Sequence, residues 1–167
     1  MERRPDLRYL IKQKFWSLGG EFTIKDADEQ DAFRVLGEAF SWGHKLRLQD
    51  MSHYEVAYIS QRLMKWRPTF EIYRDGVQFA EVIREFSWFK RHFTLDVPGP
   101  NDYTITGSFW DHEYVFERGG RTVATVSKKR WSWTDTYAID VIDGEDDVAI
   151  LATCIVIDLV NNDEMGT

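Results

Sequence analysis

The chain has 167 residues, of which 43% are hydrophobic and 29% charged, and its formal net charge is −7. This composition is that of a soluble globular protein and excludes the disordered and fibrous classes. The length favours one domain over residues 1–167, with an ordered part from about residue 9 to 161, because such a chain buries enough surface without disulfides. The acidic balance argues against nucleic acid as a partner.

The beginning of the chain and its cysteine content indicate the compartment. The opening segment from Met1 to Arg8 is polar and does not resemble a signal peptide. The longest apolar run, from Val148 to Ile157, has about half of the roughly 20 residues that cross a bilayer. The single cysteine, Cys154, excludes an intrachain disulfide and a cysteine-based zinc site. We therefore expect a cytoplasmic monomer without a transmembrane segment.

Alternation of apolar and polar residues predicts strands from the first quarter of the chain onward. The clearest early examples are residues 21–25, 33–37 and 45–49. Turn signals rich in Asp, Gly and Pro separate the apolar runs at residues 26–28, 75–76, 98–102, 119–120 and 143–144. The pattern predicts many short antiparallel strands in a barrel or a sandwich.

An internal repeat follows the early strands. Each copy has a small residue and an aliphatic residue two positions apart, then a Trp or Phe, an aromatic residue and a second aliphatic residue at constant spacing. The copies are Ala57, Ile59, Trp66, Phe70 and Ile72, then Ala80, Val82, Phe89, Phe93 and Leu95, then Ala124, Val126, Trp133, Tyr137 and Ile139. We interpret each copy as a hairpin whose last three members, including the Trp or Phe, share one face of the return strand. Residues 22–76 recur loosely as 93–144, which predicts a barrel made of two similar halves.

The segment from Glu145 to Val160 departs from this pattern, because it is apolar on every side between Val148 and Ile157. Its β-branched residues favour a strand. Its length, and the acidic residues that precede it, favour a helix. A helix that is apolar all round is buried, and inside a barrel it would form the core.

No catalytic motif is visible, and we predict no catalytic residue, no metal site and no cofactor. The four histidines lack the spacing of a metal-binding pair, and the nucleophile-elbow and phosphate-loop sequences are absent. Asp111-His112-Glu113 is interpreted as a solvated loop. The acidic residues at 143–147 suit a helix N-terminus better than a calcium loop. Cys154 is expected to be buried, and Asp158 to reach the barrel mouth or a hydrogen-bond partner.

Basic residues concentrate in the three repeat copies, beside tryptophans. The stretches 57–72, 80–95 and 124–139 hold nine of the 21 lysines and arginines. Such clusters bind anionic lipid headgroups, although ordinary solvated turns have the same composition. The candidate anion or lipid contacts are Lys90, Arg91, Lys128, Lys129 and Arg130. They can act together only if the fold brings the three hairpin tips to one place.

Several segments in order resemble the LURP-one-related family of the tubby C-terminal superfamily. They are residues 9–14 (YLIKQK), 22–26 (FTIKD), 33–40 (FRVLGEAF) and 45–50 (KLRLQD), followed by the Ala-x-Ile hairpins and the closing apolar segment. The resemblance implies a closed antiparallel β-barrel of about twelve strands, in two six-strand halves around a C-terminal helix. That helix is expected at residues 145–161. Its predicted core residues are Ile150, Leu151, Cys154, Ile155 and Ile157.

The resemblance implies less about function. Tubby proteins bind phosphoinositides and the related scramblases act at membranes, but no functional residue of either matches a position here. Our first hypothesis is a non-enzymatic barrel that binds an unidentified ligand or protein partner in a regulatory role. The second is weak peripheral binding of anionic phospholipid or phosphoinositide, and an uncharacterised enzyme is the third.

Overall fold

The computed structural model describes residues 7–12, 20–88, 90–128 and 136–166, which form twelve strands and one helix. The first six strands are β1 (Leu7–Lys12), β2 (Glu21–Asp26), β3 (Asp31–Gly37), β4 (Lys45–Asp50), β5 (Glu55–Gln61) and β6 (Thr69–Arg74). The remaining elements are β7 (Val77–Phe86), β8 (Arg91–Asp96), β9 (Tyr103–Ser108), β10 (Glu113–Arg118), β11 (Arg121–Lys128), β12 (Thr136–Val141) and α1 (Asp147–Met165).

The strands form a closed antiparallel barrel. Each strand pairs with the next along the chain, and β1 pairs with β12 in a register that aligns Leu7 with Val141 and Lys12 with Thr136. Closure leaves no strand edge unpaired, which removes the sites at which sheets aggregate. The predicted barrel of about twelve strands is confirmed. The internal repeat relates β2–β6 to β8–β12.

The helix α1 runs through the barrel, and all its residues from Ala149 to Asn161 are buried. Ile150, Leu151, Cys154, Ile155 and Ile157 are fully enclosed, as predicted. The closed sheet offers no free strand edge, so a central segment can satisfy its own backbone N–H and C=O groups only as a helix. This decides between strand and helix in favour of the helix, although its β-branched residues prefer strands.

The limits of α1 differ slightly from the predicted 145–161. The carboxylate of Asp146 accepts a hydrogen bond from the backbone N–H of Ala149 at 3.0 Å, so Asp146 is the N-cap and Glu145 lies outside the helix. Asn161 and Asn162 remain helical, and the helix continues to Met165. No helix in the described part of the chain combines the length and apolarity that crossing a membrane requires.

The inward-facing positions of the repeat form the wall of the core. In all three copies the alanine, both aliphatic residues and the aromatic residue that follows the Trp or Phe are buried. Our placement of Trp66 on the same face of the return strand as Phe70 and Ile72 was wrong, because Trp66 is 86% exposed while those two are buried. It lies in the connection between β5 and β6 rather than on the return strand, so the spacing of the repeat spans a loop tip. Phe89 and Trp133, the equivalent positions of the other copies, lie outside the described residues.

The two ends of the barrel are built differently. At one end of the barrel each odd-numbered strand connects to the next strand, and we call this the loop end. We call the opposite end the turn end. The C-terminal part of α1 lies at the loop end, where His44 Nε2 is 3.0 Å from a carboxylate oxygen of Asp163. The N-terminus of α1 lies at the turn end, where Arg74 donates to Asp146 at 2.5 Å.

Candidate functional site

The three basic stretches converge at the loop end. Their connections follow β5, β7 and β11, and antiparallel strands that alternate in direction bring these three connections to one end. Lys90 and Arg91 lie where the β7–β8 connection enters β8, and Lys128 is the last residue of β11. Lys129 and Arg130 lie outside the described residues. The three connections therefore share one end of the barrel, and the distances between their tips stay a prediction, because the third tip lies outside the described residues.

Every tryptophan in the described part of the chain lies at the loop end. The sequence has seven tryptophans, and each falls between an odd-numbered strand and the strand that follows it. Each of the six loop-end connections contains at least one: Trp16, Trp42, Trp66, Trp88, Trp110, and the pair Trp131 and Trp133. Trp16, Trp131 and Trp133 lie outside the described residues. Sequence reasoning noted the tryptophans only as neighbours of bases and missed their common location, since that depends on strand direction.

The large apolar side chains described in these connections are exposed, except that of Phe109, which is buried. Trp42 is 85% exposed and Trp88 is 91% exposed, and Phe40 and Met64 have no measurable cover. We define the aromatic crown as the exposed set Phe40, Trp42, Leu63, Met64, Trp66, Phe86, Trp88 and Trp110. Rings from neighbouring hairpins contact one another, as Trp66 and Phe86 do with centroids 6.5 Å apart. Large apolar side chains that stay in water are a mark of an interaction surface.

Two residues of the aromatic crown have strained backbones. Phe40 and Met64 both have a φ of 65°, in the left-handed region that bulky side chains rarely adopt. Neither side chain is packed in the core, so burial does not offset this strain. Residues held in such conformations cluster at functional sites.

The connections also separate charge between the two ends. Those at the loop end contain seven bases and three acids: Lys14, Arg62, Lys65, Arg67, Lys90, Lys129 and Arg130 against Glu38, Asp111 and Asp135. Those at the turn end, with the segment before α1, contain seven acids and no lysine or arginine: Asp28, Glu29, Asp75, Asp102, Asp143, Glu145 and Asp146. The connections of the two ends therefore differ in charge, while Asp163 and Glu164 in the last turn of α1 add two acids at the loop end.

The loop-end bases differ in how far they are neutralised. Arg62 lies 3.2 Å from a carboxylate oxygen of Glu81, and Arg67 pairs with Glu85. The ammonium groups of Lys65 and Lys90 make no ion pair within the described ranges. These two lysines, each next to or near an exposed tryptophan, are therefore available to an anionic partner.

A buried polar cluster fixes two loop-end strand ends to α1. The hydroxyl of Tyr137 donates to Asp158 at 2.5 Å, and His112 Nε2 lies 2.9 Å from the other carboxylate oxygen. The rings of His112 and Tyr137 stack with centroids 4.4 Å apart. The predicted hydrogen-bond partner for Asp158 is confirmed. Asn161 adds a hydrogen bond from its amide to the carbonyl of Phe109 at 3.0 Å, in the connection that carries Trp110.

The interpretation of residues 111–113 as a solvated loop was wrong for His112. Asp111 and Glu113 are exposed, but His112 is only 3% exposed. Its left-handed φ of 52° lies in the turn before β10, and there the side chain reaches inward to Asp158. The two-residue period of a strand does not apply in a turn.

The remaining titratable groups have structural partners. Burial raises the pKa of the Cys154 thiol, which is enclosed in the core as predicted. Glu145 accepts a hydrogen bond from Tyr103 at 2.7 Å, and Asp147 accepts one from Tyr9 at 2.5 Å, so these acids secure the start of α1. Within the described ranges no three His, Cys, Asp or Glu side chains are grouped closely enough to hold a metal ion.

Residues 7–158 match the model of a protein family described as LURP-one-related. The matched range covers nearly all of the barrel and most of α1. The chain belongs to the LURP-one-related family. It is 35% identical over 159 residues to the uncharacterized protein YxjI of Bacillus subtilis, with 95% of this chain and 96% of that protein aligned.

A solved structure supports the fold of this LURP-one-related protein. The Arabidopsis thaliana protein AT5G01750 superposes with a TM-score of 0.73, and the match covers 95% of this chain and 93% of that one. Sequence identity is 19%, a level at which the likeness establishes the fold alone.

Proposed function

We propose that this protein is a non-enzymatic, peripheral membrane-binding protein that contacts anionic bilayers with its loop end. The observation that carries the proposal is that the four described tryptophans all lie in connections at one end of the barrel, while the other three fall in the sequence between strands that are joined at the same end. Tryptophan is enriched at membrane–water interfaces, because its ring is largely apolar while its N–H needs a polar partner at headgroup level. Trp42, Trp66 and Trp88 are exposed enough to take that position.

The distribution of charge supports a specific orientation. Lys65 and Lys90 carry unpaired charge beside the aromatic crown, and each base near an anionic surface contributes about 1 kcal/mol. The seven acids at the turn end would be repelled by the same surface. Both effects favour docking with the loop end toward the bilayer. The anionic cytoplasmic leaflet fits a chain whose one cysteine is an unpaired, buried thiol.

The second hypothesis, a regulatory module that binds a protein partner, uses the same surface. Exposed Trp, Phe, Met and Arg are also enriched in protein interfaces. We favour the membrane because the described tryptophans come from four successive loop-end connections around one rim. A rim suits a flat surface, whereas a protein partner is usually anchored by a central cluster.

Co-sedimentation with vesicles tests the proposal. We expect binding to vesicles of phosphatidylcholine with phosphatidylserine at low salt, and weaker binding at high salt, where screening shortens to a few ångströms. The Trp66→Ala/Trp88→Ala variant should lose most of this binding. Met51→Ala/Val77→Ala, which removes exposed apolar side chains at the turn end, is the matched control and should bind as the parent does. No sedimentation of the parent protein, or equal loss in both variants, would contradict membrane binding.

The basic residues are tested separately. The Lys65→Ala/Lys90→Ala variant should sediment less with vesicles, and its remaining binding should be less sensitive to salt. The Lys128→Ala/Lys129→Ala/Arg130→Ala variant should change both properties in the same direction. Arg121→Ala changes one charge at the turn end and is the control. If the lysine variants bind like Arg121→Ala, the contact is apolar only. Binding to a protein partner with unchanged vesicle behaviour would favour the regulatory module instead.

A further inference from the structure

A cleft opens at the loop end beside the last turns of α1. Its volume is about 540 Å³, within the range of small-molecule sites. It lies among the beginnings of β2 and β4, the β3–β4 connection and the helix. The buried side chains that line it, Phe22, Leu46 and Leu159, are all apolar. The exposed ring of Phe40 also lines it, so the cleft is continuous with the aromatic crown.

One cation at the cleft has no partner in the described part of the chain. The ammonium group of Lys45 makes no ion pair or hydrogen bond there, whereas the side chains of Glu38, Ser41 and His44, which also line the cleft, have partners. Glu38 accepts from Arg47 at 3.3 Å, and the Ser41 hydroxyl donates to the carbonyl of Gly43 at 2.7 Å. His44 pairs with Asp163 at 3.0 Å. The cleft therefore combines an apolar interior with one uncommitted positive charge.

We propose that this cleft binds a single acyl chain whose head is a carboxylate or phosphate. The chain packs against Phe22, Leu46 and Leu159, and the anionic head meets Lys45. Burial of methylene groups supplies the attraction and the lysine fixes the direction of entry. The inference rests on the proposed function only for the source of the acyl chain, since docking of the aromatic crown on a bilayer brings the mouth of the cleft to the lipid. A free fatty acid has the same chemistry.

Binding of cis-parinaric acid, a fluorescent fatty acid, tests the cleft without any vesicle. We expect saturable one-site binding that oleic acid displaces. Ala39→Phe places a ring in the cleft from an exposed position and should weaken binding at least about tenfold, comparable to the effect of small changes in pocket shape. Ala39→Ser is the matched control and should bind as the parent does. Thermal unfolding of each variant verifies that it is folded.

A second pair of measurements tests the role of the head group. Lys45→Met should weaken binding of the fatty acid and leave binding of its methyl ester unchanged, because the ester has no charge to neutralise. Trp66→Ala/Trp88→Ala should retain fatty acid binding while it loses vesicle binding. Absence of saturable binding by the folded parent, or equal affinity of Ala39→Phe and Ala39→Ser, would overturn the acyl site. Fatty acid binding without vesicle binding would contradict the proposed function alone.

Discussion

Asp158 is the one charged residue in the buried part of α1, and the fold gives each of its oxygens a partner. Tyr137 donates to one oxygen and His112 lies against the other. A buried carboxylate is costly unless it is paired in this way. The same contacts hold the strand end that carries Tyr137 and the connection that carries His112, so the cluster positions part of the loop end.

Removal of this carboxylate should destabilise the protein strongly. Asp158→Ala leaves the Tyr137 hydroxyl and His112 buried without their partner, and we expect a loss of about 3–5 kcal/mol in the free energy of unfolding. Urea denaturation followed by circular dichroism measures it. Asp163→Ala, five residues away on the exposed end of α1, is the control and should change stability little. Similar midpoints for the two variants would refute the structural role of Asp158.

The strained backbone at Phe40 predicts opposite effects on stability and binding. Asn tolerates the left-handed region better than Phe, so Phe40→Asn should stabilise the fold by about 0.5–1 kcal/mol. The same substitution removes an exposed ring of the aromatic crown and should reduce vesicle sedimentation. Trp42→Asn is the control: its φ is not left-handed, so it should reduce sedimentation without raising the melting temperature. A destabilised Phe40→Asn variant would show that the backbone is not strained there.

At the scale of elements, a tyrosine and a glutamate link β9 to the segment that leads into α1. Burial, with the hydrogen bond to Glu145, raises the pKa of Tyr103 from 10.0 to about 12. The raised pKa means that the unfolded chain loses this proton first. The stabilisation from neutral Tyr103 is therefore complete below pH 10 and disappears as the pH rises toward 12.

Comparison with Tyr103→Phe isolates this effect from other titrations. The parent protein should be more stable than the variant at pH 8, and the difference in free energy of unfolding should shrink between pH 10 and pH 12. Denaturation series at several pH values measure the difference. A difference that stays constant over this interval would mean that Tyr103 ionises normally.

The elements themselves could largely be predicted from the sequence, because alternation and turn residues are local signals. The strands at residues 21–25, 33–37 and 45–49 and the buried helix follow from such signals and from the family resemblance. Two features could not be predicted. The inward position of His112 depends on a left-handed turn, and the exposure of Trp66 depends on where a loop begins within an apolar spacing. Both are set by backbone geometry that periodicity does not encode.

At the scale of the whole molecule, residue types are distributed unequally along the axis of the barrel. Aromatic rings and bases collect at the loop end and acids at the turn end, although neither trend is visible when the sequence is examined in order. The common location of the tryptophans emerges only when alternate connections are compared. The proposed site is thus a property of strand direction, which brings together residues far apart in the chain.

Intrinsic fluorescence should report on the loop end, because the four described tryptophans lie there and the other three fall in the sequence between an odd-numbered strand and the next. We expect a blue shift on addition of anionic vesicles and strong quenching by lipids brominated near the headgroup. Bromine placed deep in the acyl chain should quench less if the rings lie at the interface. Vesicles of phosphatidylcholine alone are the control. An unchanged spectrum at lipid concentrations that sediment the protein would refute docking through this end.

The pairing of β1 with β12 has a consequence for biosynthesis. Leu7 and Val141 are partners although 134 positions separate them, and the segment that must occupy the interior, α1, follows every strand in the chain. The ribosome releases the strands before the helix that fills the barrel. The nascent chain therefore exposes the apolar face of an incomplete sheet. The ring can close around its contents only after the last turns of α1 emerge. Nascent chains that stop short of residue 147 should therefore be held by chaperones or degraded.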